Sequence, residues 1–538
     1  MGKENIIKAF KRIEVDRIPW VPFVGCHGAT LIDATAADYL KSSSLMIQGL
    51  SLAIERYQPD GIPVMFDLQI EAEALGCALK WSDKAPPAVV SHPLLNGKSI
   101  TDLAIPGPED GRISEVLNTT KVLRERYPDL ALYGLITGPF TLGLHLLGTE
   151  IFVKMMEEPV KVHDLMEFTT RVCETMAGYY MEAGCDVIAL VDPMTSQIDP
   201  LSFQSFVTKY ASRIFDHIRS QDILSSFFVC GHAQQNIEEM CKCKPDNISI
   251  DENIPLDYVK EYASRYQLSF GGNLKLTMVL LLGTSEDVQK EAVECMDLGG
   301  KTGYILSPGC DLPIDTPPQN LESIAKLIYD DYAQEVVRTM DIRDSKLDIL
   351  NMKDYGQSDK VIVDIITLDS ESCAPCQYMV EAVKKVAPHF EDIVEWREHP
   401  IKKLEGISFM SSLMVKNIPT ICIDGKISFV SKIPPKNELI LAIQKRINEK
   451  LKLKIRSKKG EILILGREIK EFKEIEKRVE IAVNETGVDL QITTSTDENT
   501  IASYGIIKTP AIVIAEYKLK SQGDIPEVSI IKEWIKDI

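Results

Sequence analysis

Up to about residue 340 the chain alternates short apolar runs with longer segments whose apolar residues recur every three or four positions. The short runs, read as strands, are Ile18–Val24, Gly61–Phe66, Leu132–Thr137, Asp186–Val191, Ser225–Val229, Asn247–Ile250, Leu268–Gly271 and Gly303–Leu306. The helical spacing predicts long helices between them, such as Val153–Glu182 and Pro200–Ser220. Strands rich in Val, Ile, Leu and Phe, without polar alternation, belong to a parallel sheet covered on its faces. Eight strand–helix units over residues 1–342 predict a closed (β/α)8 barrel, the TIM-type α/β fold, better than an open sheet.

The pattern then breaks. Residues 343–359 are polar and read as a linker. Beyond them Val361–Leu368 predicts a strand and Gln377–Ala387 a helix. A strand at Thr420–Ile423, a turn at Gly425, a short strand to Val430 and a helix over Lys436–Lys452 close one compact α/β unit spanning 360–452. The same order returns in weaker form over 453–538: a strand at Glu461–Leu465, a charged amphipathic helix Glu468–Thr486, then strands Asp489–Thr494 and Ala511–Ile514.

Between the first strand and first helix of the 360–452 unit lies Cys373-Ala374-Pro375-Cys376. A thiolate at a helix N-terminus meets unsatisfied N–H groups and the positive end of the helix dipole, which lowers its pKa. Cys373 is therefore the expected attacking thiolate and Cys376 the resolving thiol. Half of a structural zinc site is the alternative, but it needs a second cysteine pair, and downstream only Cys422 follows. This unit resembles the thioredoxin/glutaredoxin superfamily, with Ile418-Pro419-Thr420 at that family's cis-proline loop. The 453–538 unit resembles a small thioredoxin-like domain too, with Lys508-Thr509-Pro510 at the equivalent loop. Where a CxxC would fall it has Gly466-Arg467-Glu468-Ile469-Lys470, so it cannot shuttle electrons and a docking role is expected.

Composition narrows the class of partner. Of 538 residues 45% are hydrophobic and 26% charged, ordinary for globular domains, and the net charge of −19 argues against nucleic acid or an anionic membrane as partner. No run reaches the ~18–20 apolar residues of a membrane span, so a cytoplasmic protein is expected. Twelve cysteines in a chain this long do not make a disulfide scaffold. Cys77, Cys173, Cys185, Cys295 and Cys422 sit among apolar neighbours and read as core.

In a barrel of this kind the residues just after each strand build the active site. Those positions hold Gly25-Cys26-His27-Gly28, then Asp67 and Glu71, Gly138-Pro139-Phe140, Asp192-Pro193, Cys230-Gly231-His232, Asp251, Asn273, and Pro308-Gly309-Cys310. Cysteine and histidine at three strand ends are a candidate zinc set with an open position, suited to holding a substrate thiol deprotonated. Each residue alone is as readily explained by packing, and His232 by helix capping.

The stretches Val15-Asp16-Arg17-Ile18-Pro19, Glu71-Ala72-Glu73-Ala74-Leu75-Gly76-Cys77, Thr137-Gly138-Pro139-Phe140-Thr141-Leu142, Val229-Cys230-Gly231 and Leu306-Ser307-Pro308-Gly309-Cys310-Asp311-Leu312-Pro313 run in order across the barrel. Through them the first ~335 residues resemble the uroporphyrinogen decarboxylase-like superfamily, and within it the methylcobamide:thiol (coenzyme M) methyltransferases. The decarboxylases carry an arginine-rich segment after the first strand, where this chain has Gly25-Cys26-His27-Gly28, which argues against porphyrinogen decarboxylation. In the methyltransferases zinc is held by a His-x-Cys pair after the fifth strand and a cysteine after the eighth. Cys230 and Cys310 match two of these positions, and Phe228 stands at the third. His232 or His27 is the expected substitute. The Asp-x-His-x-x-Gly cobalamin motif is missing; His145-Leu146-Leu147-Gly148 has only its tail, so a methylcorrinoid would arrive on a partner protein.

The resemblance implies zinc-dependent methyl transfer from a methylated corrinoid protein to a small thiol. Asp192 and Glu71 would act as polar rim groups for positioning or proton uptake, and the Cys373/Cys376 dithiol as an attached redox module. A second reading is a thiol–disulfide oxidoreductase whose barrel presents the substrate, with a disulfide-bearing protein as partner. A third makes the C-terminal half a docking arm without turnover.

Overall fold

The computed structural model describes residues 2–339, 355, 360–371, 373–459, 461–488, 490–514 and 518–536. The expected linker 343–359, Tyr355 apart, lies outside the described residues. By contacts the chain divides into two compact units, Met1–Leu439 and Ile440–Ile538.

The first unit opens on a seven-stranded parallel sheet. In chain order its strands are β1 (Gly61–Pro63), β2 (Ala131–Thr137), β3 (Val187–Val191), β4 (Leu224–Val229), β5 (Asn247–Ile250), β6 (Ser269–Leu274) and β7 (Tyr304–Pro308). Each pairs with the next in sequence. The eighth expected strand, Ile18–Val24, is reduced to a parallel bridge between Trp20 and Leu306. Pro19 and Pro22 have no N–H to give, so a full ladder cannot form there. The segment still closes the ring. On one side Val21 N–H donates to Leu306 O (3.0 Å) and Leu306 N–H to Pro19 O (2.9 Å). On the other, Asp60 N–H donates to Trp20 O (2.9 Å). The residues of β2 and β3 are buried throughout, as expected of strands covered on both faces.

The expected helix Val153–Glu182 is two helices, Glu150–Glu157 and Pro159–Ala183, because Pro159 cannot continue the first and suits the first turn of the second. Pro200–Ser220 is helical to Arg219 with one widened π turn at Gln204–Thr208.

Still within the first unit, four strands form a separate mixed sheet: β8 (Val361–Thr367), β9 (Val394–Pro400), β10 (Thr420–Ile423) and β11 (Lys426–Val430), in spatial order β9-β8-β10-β11. β8 runs parallel to β9 and antiparallel to β10, and β10 antiparallel to β11. The helix Ala374–Val386 begins directly after the dithiol's first cysteine. In the second unit β12 (Glu461–Leu465), β13 (Gln491–Ser495), β14 (Ala511–Ile514) and β15 (Lys518–Gln522) repeat this order and these directions. Its core is built on Ile462, Ile464, Phe472, Ile475, Val479 and Ile512. The peptide bonds Ile418–Pro419 and Thr509–Pro510 are both cis, each just before the third strand of its sheet. Among the described residues no helix is long and apolar enough to cross a membrane.

Candidate active site at the barrel mouth

Side chains alternate along a strand, so Ser226, Phe228 and Cys230 share the inward face of β4 and its end. Phe228 is buried against Phe23 and Phe66, at ring-centroid distances of 5.2 and 5.8 Å. The barrel interior below the mouth is thus an aromatic plug, continued by Tyr133, Leu135 and Ile305. Above it the chain leaves β4 through Gly231, whose φ of +87° lies in the left-handed region that favours glycine. That turn sets Cys230 and His232 on the mouth. Gly309 is needed for a different reason. A Cβ there would lie 2.6 Å from Glu252 N, so only glycine lets the loop after β7 press against the loop after β5. The result brings Cys310 beside Cys230 at the mouth. The neighbouring Cys310 thiol, then burial, then the negative field of Asp251 and Asp311, pushes the Cys230 thiol well above its usual range.

Cys230, His232, Cys310, Asp251 and Glu252 line one cavity of about 100 Å³, and its far wall is Cys373, Pro375, Cys376 and Pro419. The first small sheet and its helix therefore cover the mouth. Tyr378 of that helix is buried against the barrel, its hydroxyl 3.3 Å from His145 Nδ1 and its ring stacked on His92. Gln377 Nε2 donates to Val89 O (2.8 Å), and Ile433 N–H donates to Gln197 Oε1 (3.0 Å). Cys373 and Cys376 are disulfide-bonded with Cα atoms 5.2 Å apart. Cys373 is the half-buried one and caps the helix, its sulfur accepting from Cys376 N–H at 3.4 Å, while Cys376 is fully buried.

The carboxylates at this end divide by task. Asp251 accepts from Gly231 N–H (3.0 Å) and Asn253 N–H (2.9 Å), and burial raises it above the usual carboxylate range. Glu252, which the sequence reading passed over, is raised by burial and then by Asp251, which favours its neutral form. Asp251 and Glu252 are consecutive residues after a strand, a signal that was visible in the chain. Among the described residues the buried Nδ1 of His232 has no hydrogen-bond partner.

Other expected site residues are placed elsewhere. His27 is fully buried, with Nδ1 3.2 Å from Ile314 O and Nε2 2.7 Å from the Tyr57 hydroxyl, so both ring nitrogens are engaged away from the cavity. Glu71 accepts from Thr137 N–H (3.1 Å) and Thr137 Oγ1 (2.7 Å), tying its helix to the end of β2. Burial raises its pKa. Asp192 accepts from Phe140 N–H (3.2 Å), Thr141 N–H (2.8 Å) and Thr141 Oγ1 (2.5 Å) at the start of helix Pro139–Leu147. Both carboxylates are saturated by backbone and hydroxyl donors, which suits them to positioning loops rather than to proton transfer with substrate. Asp192→Ala leaves three buried donors without an acceptor, and the urea midpoint is expected to fall by the equivalent of about 3–5 kcal/mol. An unshifted midpoint contradicts this placement.

Burial holds His27 neutral, its pKa lowered from 6.5 to about 4, and lowers His145 to about 3. The unfolded chain protonates both near 6.5, so the stability they carry is complete above that pH and is lost as pH falls toward their folded values. From pH 6.5 to 5 the expected loss is roughly 2 kcal/mol per histidine, measured by denaturant titration at the two pH values.

A zinc ion was the sequence expectation for this mouth. Two thiols meet there and an imidazole nitrogen stands unpartnered, but among the described residues no three His, Cys, Asp or Glu side chains are placed to hold a metal ion. The third position of the family set is Phe228, inside the aromatic plug. As arranged, the residues do not fit a resident zinc ion.

The thioredoxin-domain family model matches residues 461–536. The methylcobamide:CoM methyltransferase MtbA of Methanosarcina acetivorans is 28% identical over 331 residues, 60% of this chain and 96% of that protein. MtaA of Methanosarcina barkeri, also a methylcobamide:CoM methyltransferase, is 26% identical over 346 residues, 62% and 98% of the two chains. A uroporphyrinogen decarboxylase of Anaeromyxobacter sp. is 22% identical over 60% of this chain and 98% of its own. Among solved structures, a methyltransferase from Methanosarcina mazei superposes with a TM-score of 0.57 at 23% identity, covering 61% of this chain and 98% of that one. The family model for uroporphyrinogen decarboxylase (URO-D) matches residues 1–330, more than half of the chain, and the protein belongs to that family.

Proposed function

We propose that the barrel transfers a methyl group from a methylated corrinoid, carried by a partner protein, to a small thiol seated in the mouth cavity. The observation that carries the reading is the pairing of His232, with its unpartnered buried Nδ1, and the thiol-lined cavity at the strand ends. The likeness to two methylcobamide:CoM methyltransferases over the whole barrel supports it.

A thiol must lose its proton to attack a methyl carbon. In this reading His232 Nδ1 takes that proton, with the neutral tautomer carrying its own hydrogen on Nε2. Asp251 lines the same cavity as the imidazole, on the loop after the next strand. The thiolate sulfur then forms a bond to the methyl carbon while the carbon–cobalt bond breaks and its electron pair stays on cobalt. The products are a methyl thioether and a reduced corrinoid. The expected zinc on Cys230, Cys310 and His232 or His27 is not carried into this reading, because no third ligand is in place. The fused dithiol acts as a redox module, with Cys373 attacking and Cys376 resolving.

The cavity's size sets a condition. At about 100 Å³ it admits a few waters, each claiming ~30 Å³ of liquid volume, or a short thiol. It is smaller than the ~300–1,000 Å³ of pockets that enclose drug-sized ligands, and a corrin ring cannot enter. The covering helix must lift before the methyl donor can approach.

The test mixes the full chain, methylcob(III)alamin and a panel of short thiols. Loss of the methylcobalamin spectrum with stoichiometric methyl thioether by mass spectrometry is the expected result. Disulfide reduction without thioether from any thiol contradicts the reading.

A further inference from the structure

We propose that Cys230 and Cys310 are a redox pair, and that the Cys373–Cys376 couple exchanges electrons with them across the mouth cavity. This goes beyond the methyl-transfer reading and stands independently of it.

Three observations carry the proposal. First, the two barrel thiols are close neighbours at the mouth, and among the described residues no third His, Cys, Asp or Glu side chain joins them to hold a metal ion. Second, all four sulfurs line one small cavity. Third, accessibility singles out the same residues. Of the ten free cysteines in the described residues, eight are buried, and only Cys230 and Cys310 are half-open. Thiol–disulfide exchange needs a reachable sulfur on each side, and buried cysteines are inert to it. On the opposite wall Cys373 is the reachable sulfur and Cys376 the buried one. This is the arrangement of an attacking and a resolving thiol.

In the reducing direction the Cys373 thiolate attacks one sulfur of a Cys230–Cys310 disulfide. A bond forms between Cys373 and that sulfur, the barrel disulfide breaks, and the other barrel sulfur leaves with the electron pair. It takes a proton from Glu252 on the same wall, whose neutral form burial favours. Cys376 then gives its proton to the Glu252 carboxylate and attacks the Cys373 sulfur, closing the Cys373–Cys376 disulfide and releasing the second barrel thiolate. Two electrons pass from the module to the barrel, and no other reactant is needed. The step is reversible, and its running direction follows from whichever dithiol or disulfide reaches the module from outside.

The test uses the full chain carrying Cys376→Ser. The barrel pair is oxidised with diamide, the reagent is removed, and the chain is digested under non-reducing conditions. With no resolving thiol the reaction stalls, and most chains are expected to show Cys373 linked to Cys230 or Cys310. Cys373 recovered free, or only as an adduct of an added thiol, overturns the proposal. Because Cys376 is buried, a second measurement guards against misfolding. In a Cys373→Ser chain, dithiothreitol should reduce the barrel disulfide at least tenfold more slowly than in the unmutated chain; equal rates overturn the proposal. So does one zinc per unmutated chain that shields Cys230 and Cys310 from alkylation.

Discussion

His232→Ala is expected to lower kcat/KM for thiol methylation about a hundred- to ten-thousandfold, the contribution of a well-placed general base. The size follows from what surrounds the ring. Its Nδ1 is buried and unpartnered at the cavity wall, so no neighbouring group stands ready to take the proton in its place. Asp251 is occupied by Gly231 and Asn253, and burial favours the neutral form of Glu252. Partial rescue by added imidazole separates a lost base from lost packing. His27→Ala makes the contrast. That ring is spent on Ile314 and Tyr57, and the substitution should lower stability with little change in kcat/KM of the folded fraction.

The second large effect concerns the cover. Truncating a buried aromatic to alanine costs about 3–5 kcal/mol, and Tyr378 is the large side chain through which the dithiol helix sits on the barrel. If even 3 kcal/mol of that acts on docking, the docked-to-lifted ratio falls more than a hundredfold. In Tyr378→Ala the rate with free methylcob(III)alamin should therefore rise at least fivefold, because the mouth opens to the corrin. The Cys376→Ser mixed disulfide should fall in the same background, because the two cysteine pairs part. A rise in one with no fall in the other would contradict a shared cavity. Circular dichroism and limited proteolysis establish that the module itself stays folded.

Much of the fold was legible because buried strands write themselves as unbroken apolar runs. Asn247–Ile250, Thr420–Ile423, Glu461–Leu465 and Ala511–Ile514 lie where the pattern predicts. The exceptions have local causes. Ile18–Val24 looks like a strand by apolarity, but its prolines leave it only a bridge's worth of hydrogen bonds. β9, Val-Glu-Trp-Arg-Glu-His-Pro, was not read as a strand because it lies at the sheet edge, where polar side chains alternate. Two adjacent carboxylates at Asp251 and Glu252 were visible, but the raised pKa of Glu252 depends on burial by distant segments.

The candidate site was readable as a list of strand-end residues and unreadable as a set of partners. Cys230 and Cys310 stand eighty positions apart in sequence, and their contact depends on Gly309 fitting against Glu252. Asp192 and Glu71 looked like rim acids. Only the structure supplies the backbone donors of Phe140, Thr141 and Thr137 that occupy them. His27 and His232 were equivalent candidates on paper, and burial against Tyr57 separates them. Nothing in the chain foretold that the dithiol would face the barrel cysteines. That depends on Tyr378 lodging beside His92 and His145, a match between surfaces with no local pattern.

In the proposed reaction the acceptor thiol sits at the barrel mouth, between His232 and the four sulfurs. The most direct measurement is a crystal structure of the full chain with a thiol that turns over in the methylation assay. The expected electron density places the thiol's sulfur within hydrogen-bond reach of His232 Nδ1. A turnover-competent thiol bound anywhere else, with that cavity holding only water, would contradict the account.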